Sequence, residues 1–355
     1  MSDAPSAPSR LSEFRENLYH LELEYCKHYK RDDIQADRVR AEIGSLMLNN
    51  CPKWNEWLQR EIPSVFEIYG SINLSSETLL RLINVDAGNL SDITATSFSE
   101  AISYVGAVTK LDLSNVQEVR LDAYECDYVE GECVACNASS HHIYYSLESS
   151  QVSSVDLLIH ELGHAADFTF ARHQSDEDKA LYRHQSLAEA VAYYCQYIYL
   201  IDHGNTIKRT GALGAFTYTY LAYLICRYCL EKHIPLNKLK PVETVKDELF
   251  SSFISAYSVT HGFESANIFI TEKIREIQMR FPSVGNLIFE ELSPRLGIPL
   301  GLALLAIEDL DLARISSMNS LDVELKQLLE KIDHRLTNKL SDMNTLITNF
   351  IDKVR

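Results

Sequence analysis

The stretch DLLIHELGHAADF, residues 156–168, places two histidines four positions apart with a glutamate directly after the first. On a helix, positions i and i+4 share a face, so His160 and His164 can offer ring nitrogens to one tetrahedral metal ion. Glu161 is turned about 100° from His160. That leaves its carboxylate beside the metal's open position, where it can take a proton from water instead of ligating. Val155, Leu157, Leu158, Ile159 and Leu162 mark this helix as buried. Burying two imidazoles and a carboxylate without a partner would cost several kcal/mol, and a zinc ion removes that cost. Gly163 weakens the helix by about 1 kcal/mol relative to alanine, so a crowded neighbour is expected across from it, such as a strand or loop.

Two histidines need a third ligand. A metzincin would carry Gly at 167 and His at 170, but the chain has Asp167 and Phe170, which excludes that class. A glutamate on a following helix is the alternative, and Glu189, in QSLAEAVAYYCQY, lies 25 residues after His164 at the start of a strongly apolar segment. Ser186-x-x-Glu189 also spells a helix capping box, and His173, His184 and Asp167 are further candidates for the third position. Asp167, one turn beyond His164, suits a carboxylate that orients a ligand.

HELGHAAD resembles the zincin peptidases that use a glutamate third ligand, and its form HExGHxxD is similar to the catalytic domains of anthrax lethal factor and the Pro-Pro endopeptidases. Those domains carry a tyrosine seven residues before the glutamate, and Tyr182 stands seven before Glu189. The resemblance implies zinc bound by His160, His164 and Glu189, Glu161 as general base and Tyr182 as the donor that stabilises the oxyanion. It covers about 140–200 and departs from those families in a shorter gap between His164 and Glu189. That gap is closer to the thimet-type oligopeptidases, whose helpful tyrosines follow the glutamate, and the loosely similar GALGAFTYTYLAY makes Tyr218, Tyr220 and Tyr223 competitors of Tyr182.

SSHHIYYSL at 139–147 has the composition of a strand. In zincins the strand ahead of the metal helix is an edge that binds extended peptide through main-chain hydrogen bonds, so this segment is expected to be that edge, with His141 and His142 able to line the cleft. Cys126, Cys133 and Cys136, followed by His141 or His142, could form a structural zinc site or a redox switch, although the spacing C-x6-C-x2-C reads most simply as thiols in a hairpin. Cys226 and Cys229 in CRYC lie in a helical pattern with no strand before them and read as core residues.

The elements that must position these groups read as α+β. Helices are expected over 11–62, short strands between 64 and 149 (VFEIYGSINL, KLDLSNVQEVRLDAY, HHIYYSL), and helices from 152 almost to the end. The expected organisation is a disordered tail at 1–10, a mainly helical zincin-like catalytic domain at 11–235 with a small sheet ahead of the metal helix, and a helical region at 236–355. With 50 acidic against 33 basic residues, the net charge of −17 argues against nucleic acid as a partner. The apolar window 211–230 contains Arg227 and many Thr and Tyr, and fits a buried helix better than a membrane span. The first ten residues lack an apolar core, so a cytoplasmic chain is expected, or one exported without a Sec signal peptide.

The expected function is zinc-dependent hydrolysis of peptide bonds, with a peptide or protein as substrate. Two other readings stay open: a non-catalytic zinc-containing binding or scaffold protein, and a host-directed effector protease with a single protein substrate.

Overall fold

The computed structural model describes residues 10–84, 93–121, 131–146, 154–173, 181–203 and 211–354. Apart from Arg10, the expected tail at 1–10 lies outside them, as does Cys126. The chain is mainly helical with one small sheet. An N-terminal set comprises α1 (Arg10–His28), α2 (Asp33–Asn50), α3 (Trp54–Ser71), α4 (Ser76–Ile83) and α5 (Ser97–Thr109). Strands β1 (Gln117–Leu121), β2 (Glu132–Val134) and β3 (His142–Ser146) follow. Next come the long helices α6 (Val155–Arg172), α7 (Gln185–His203) and α8 (Gly211–Lys232). The rest is helical: α9 (Pro241–Thr244), α10 (Ser251–His261), α11 (Phe263–Arg280), α12 (Val284–Leu287), α13 (Ser293–Arg295) and α14 (Gly297–Leu305). The last four are α15 (Leu312–Met318), α16 (Leu325–Ile332), α17 (Arg335–Ser341) and α18 (Met343–Val354).

Side-chain caps fix several starts. Asp32 accepts from the Gln35 amide, Ser75 from Thr78 and Asp311 from Arg314, each satisfying a first-turn N–H that the helix cannot. VFEIYGSINL, expected as a strand, instead supplies the end of α3. Its Val65, Ile68, Tyr69 and Ile72 are all buried, and their three- and four-residue spacing matches one helix face rather than a strand's alternation.

The sheet order is β1-β3-β2, with β1 parallel and β2 antiparallel to β3. The strand expected to be an open edge, 139–147, is therefore the central one: β3 is paired on both sides, and among the described residues β2 lies at an edge of the sheet. Alternation divides β3 between two cores, because Ile143 and Tyr145 pack with α5 and α6 while Tyr144 packs with Cys26 of α1 and Leu121 of β1. A much larger core joins α3, α4, α7 and α8 to the C-terminal helices. Leu236 and Leu239, in the stretch expected to separate two regions, are buried in that same core. Helix α8 contributes buried Cys226 and Cys229 to it, and no helix among the described residues is long and apolar enough to cross a membrane.

Candidate metal centre

Helix α6 begins at Ser154, whose hydroxyl bonds the Asp156 carboxylate, and the other Asp156 oxygen accepts 2.9 Å from Gln196 Nε2 of α7. That buried pair fixes the start of α6 against α7. Farther along, a Cβ on Gly163 would lie 2.7 Å from the Ala192 Cα, closer than two such atoms can approach. The crowded neighbour expected of Gly163 is thus the backbone of α7, not a strand or loop. Glu189 lies one turn before Ala192, so the close crossing carries its carboxylate over the face of α6 that bears both histidines.

His160 Nε2 lies 3.4 Å and His164 Nε2 3.5 Å from one Glu189 oxygen. All three ligand atoms lie within 4.8 Å of one another. In a tetrahedral zinc site with bonds of about 2.05 Å, ligand atoms sit about 3.3–3.4 Å apart, so the donor set and spacing fit zinc. Ser186 lies within α7 rather than before it, and Glu189 faces the histidines instead of closing a capping box. The other candidates for the third position point elsewhere. His173 Nδ1 lies 2.8 Å from the Thr169 carbonyl oxygen, and His184 Nε2 lies 2.8 Å from that of Val323. Asp167 orients neither histidine: it pairs with Arg183, with Nη2 to Oδ1 at 2.6 Å, and accepts from the Ser316 hydroxyl at 2.6 Å. It ties α6 to the segment leading into α7 and to α15.

Two glycines that sequence reasoning missed hold α7 from behind. A Cβ on Gly297 would come 2.2 Å from the Glu189 Cβ, and one on Gly301 2.7 Å from the Tyr193 Cβ. Helix α7 is therefore clamped between α6 and α14, and the carboxylate position follows from backbone packing. The spacing of Gly297 and Gly301, one per turn of an otherwise apolar helix, is the signal that could have found them. Tyr193 packs its ring 4.5 Å from the His160 ring. Among the described residues His160 Nδ1 is buried without a hydrogen-bond partner, so ring packing holds this imidazole where a ligand histidine usually has a polar partner.

Burial pushes the Glu161 carboxyl above the usual carboxylate range, against the pull of His160 and His164, with Glu189 and Glu132 adding to the rise. Burial would lower the His164 imidazole, but the charge and hydrogen bond of Glu189 outweigh it and raise it to about 9. Burial opposes ionisation of Glu189, and the histidines overcome it, holding the carboxyl well below its usual range.

The cluster opens into a cleft of about 520 Å3, whose walls include Trp54 and Leu58 of α3, Gly131, Glu132 and Cys133 at β2, Phe168 and Tyr182. A pocket of this size suits a small ligand or a short peptide segment. Gly131 abuts Glu161, whose Cγ would lie 3.1 Å from an added Cβ. Tyr182 faces the cleft, yet its hydroxyl donates to the Met47 carbonyl at 2.7 Å and its ring packs between Trp54 and Trp57. The competing tyrosines do not line the cleft: Tyr218, Tyr220 and Tyr223 lie on α8 in or against the large core. His141 is fully buried, accepting from the Cys136 amide at 3.1 Å, and neither it nor His142 reaches the cleft. No protein-family model, curated protein or solved structure matches this chain.

Proposed function

We propose that the chain is a zinc-dependent metallopeptidase of the zincin type, in which His160, His164 and Glu189 hold the metal. The observation that carries this reading is the convergence of two imidazole nitrogens on one carboxylate oxygen at 3.4 and 3.5 Å, beside a second, buried carboxylate, Glu161. When bound, zinc supplies a Lewis acid for the scissile carbonyl and lowers the pKa of water towards about 7.

The residues around it supply the remainder. Glu161, its proton affinity raised by burial, takes a proton from the attacking water and passes it to the leaving amine. A substrate in extended form lies along the edge formed by β2, since Gly131, Glu132 and Cys133 line the cleft and, among the described residues, β2 pairs with β3 alone. Tyr193 steadies the His160 ring. The oxyanion role that the resemblance implies for Tyr182 requires its hydroxyl to leave the Met47 carbonyl.

Glu161→Gln tests the proposal. Incubated with a library of peptides, the wild-type protein is expected to cleave, and the variant to lose about 10²–10⁴-fold in rate while keeping its zinc by elemental analysis. Zinc retention without cleavage by wild type would leave a scaffold role. Cleavage of a single protein in a whole-proteome search for new N-termini, with library peptides untouched, would mark a dedicated effector protease.

A further inference from the structure

We infer that Cys26, Cys136 and His142 bind a zinc ion of their own, held by two thiolates and an imidazole, which fastens α1 to the β2–β3 hairpin at the wall of the cleft. Their ligand atoms all lie within 4.8 Å of one another, although 110 residues separate the two cysteines. Three donors from three elements converge, and the set is chemically specific. Thiolate and imidazole together select zinc and other soft or borderline ions, unlike the carboxylate clusters common on surfaces.

The surroundings are those of a metal site. Leu121, Val134 and Tyr144 form an apolar shell in which Cys26 is 5% and Cys136 0% exposed. His142 is half-buried, which leaves an approach for the ion and a fourth position for a solvent ligand. The two thiols hydrogen-bond to each other, which brings both sulfurs to the same point. Neighbouring bonds fix the frame. Tyr144 donates its hydroxyl to the Cys26 carbonyl at 3.0 Å, and the Cys136 amide is held by His141.

The same junction is closed by Arg172 of α6. It pairs with Glu22 through Nη2 to Oε1 at 2.6 Å and donates to the Asn137 carbonyl at 2.6 Å. Tyr29, just past α1, donates to Glu132. An ion on Cys26, Cys136 and His142 would therefore complete a seam that sets where β2 stands relative to Glu161. Of the three cysteines that could group by spacing, Cys136 turns to Cys26 and Cys133 lines the cleft, while Cys126 lies outside the described residues.

Cobalt substitution of the full chain tests this. Elemental analysis should find two ions per chain, with a thiolate-to-cobalt charge-transfer band in the near ultraviolet. Cys136→Ser should lose one ion and the band, whereas the double variant His160→Ala, His164→Ala should lose the other ion and keep the band. The two sites thus fail independently. Should Cys136→Ser not fold, alkylation of wild type replaces it: zinc should slow labelling of Cys26 and Cys136 at least about ten-fold, consistent with thiolate reactivity, and a chelator should restore it. A wild-type protein without the band, labelling unchanged by zinc, or a Cys26–Cys136 disulfide in reduced, zinc-supplied protein would overturn the inference.

Discussion

The two groups of metal-type side chains are assembled by opposite means. His160, His164 and Glu189 come from two long helices in van der Waals contact, and their positions follow from helix geometry and from glycines that let the backbones touch. Cys26, Cys136 and His142 come from a helix, a hairpin turn and a strand, and what holds those elements together is a seam of charged and polar bonds. A site made by close helix packing is ordered before any ion arrives. One made across a seam depends on the seam, and an ion there contributes to the fold itself.

The largest expected effects come from the buried ion pairs that brace each group. Asp167→Ala strips Arg183 of its partner and should cost about 3–5 kcal/mol in denaturant unfolding, with weaker zinc binding at the histidines. A loss below about 1 kcal/mol would show that this pair does not brace the α6–α7 crossing. Glu22→Ala should be comparably damaging through Arg172, yet leave zinc on His160 and His164, which separates seam from crossing. Next comes Gly297→Ala, which forces α14 off Glu189 and should cost about 1–3 kcal/mol. By contrast, Gly44→Ala in α2, where an added methyl meets nothing within 4 Å, should gain up to about 1 kcal/mol. If both alanines behaved alike, the clamp on α7 would not be real.

The smallest expected effect is a proton count. In the metal-free protein His164 titrates near 9, above its ordinary 6.5. The stability this adds is complete below about pH 6.5 and lost as pH rises through 9. Zinc must displace that proton, so binding at about pH 7.5 should release close to one proton per ion at this site, read by calorimetry in buffers of different ionisation enthalpy. Release of none would mean that Glu189 does not hold His164 protonated.

The sequence made the helical character and the facing of His160 and His164 legible, because helix geometry couples neighbours four apart. Glu189 was reachable for a related reason: a carboxylate on an apolar helix must meet something polar. Strand order was not legible, since the composition that marks β3 as a strand does not say whether one side or both will be paired. Cys26 escaped notice because its partners lie 110 and more residues away, and nothing local signals a contact of that range. The hydroxyl of Tyr182 was similarly opaque, as its acceptor is a backbone carbonyl at the end of another helix.

Gly131 stands against Glu161 with no side chain of its own, so at this point main chain faces the carboxylate. Main chain there offers amide and carbonyl groups but no side-chain shape. One methyl group at this position would come 3.1 Å from the Glu161 Cγ and act as a wedge against that side chain, so the residue with the least to offer in contacts keeps the acid's place open.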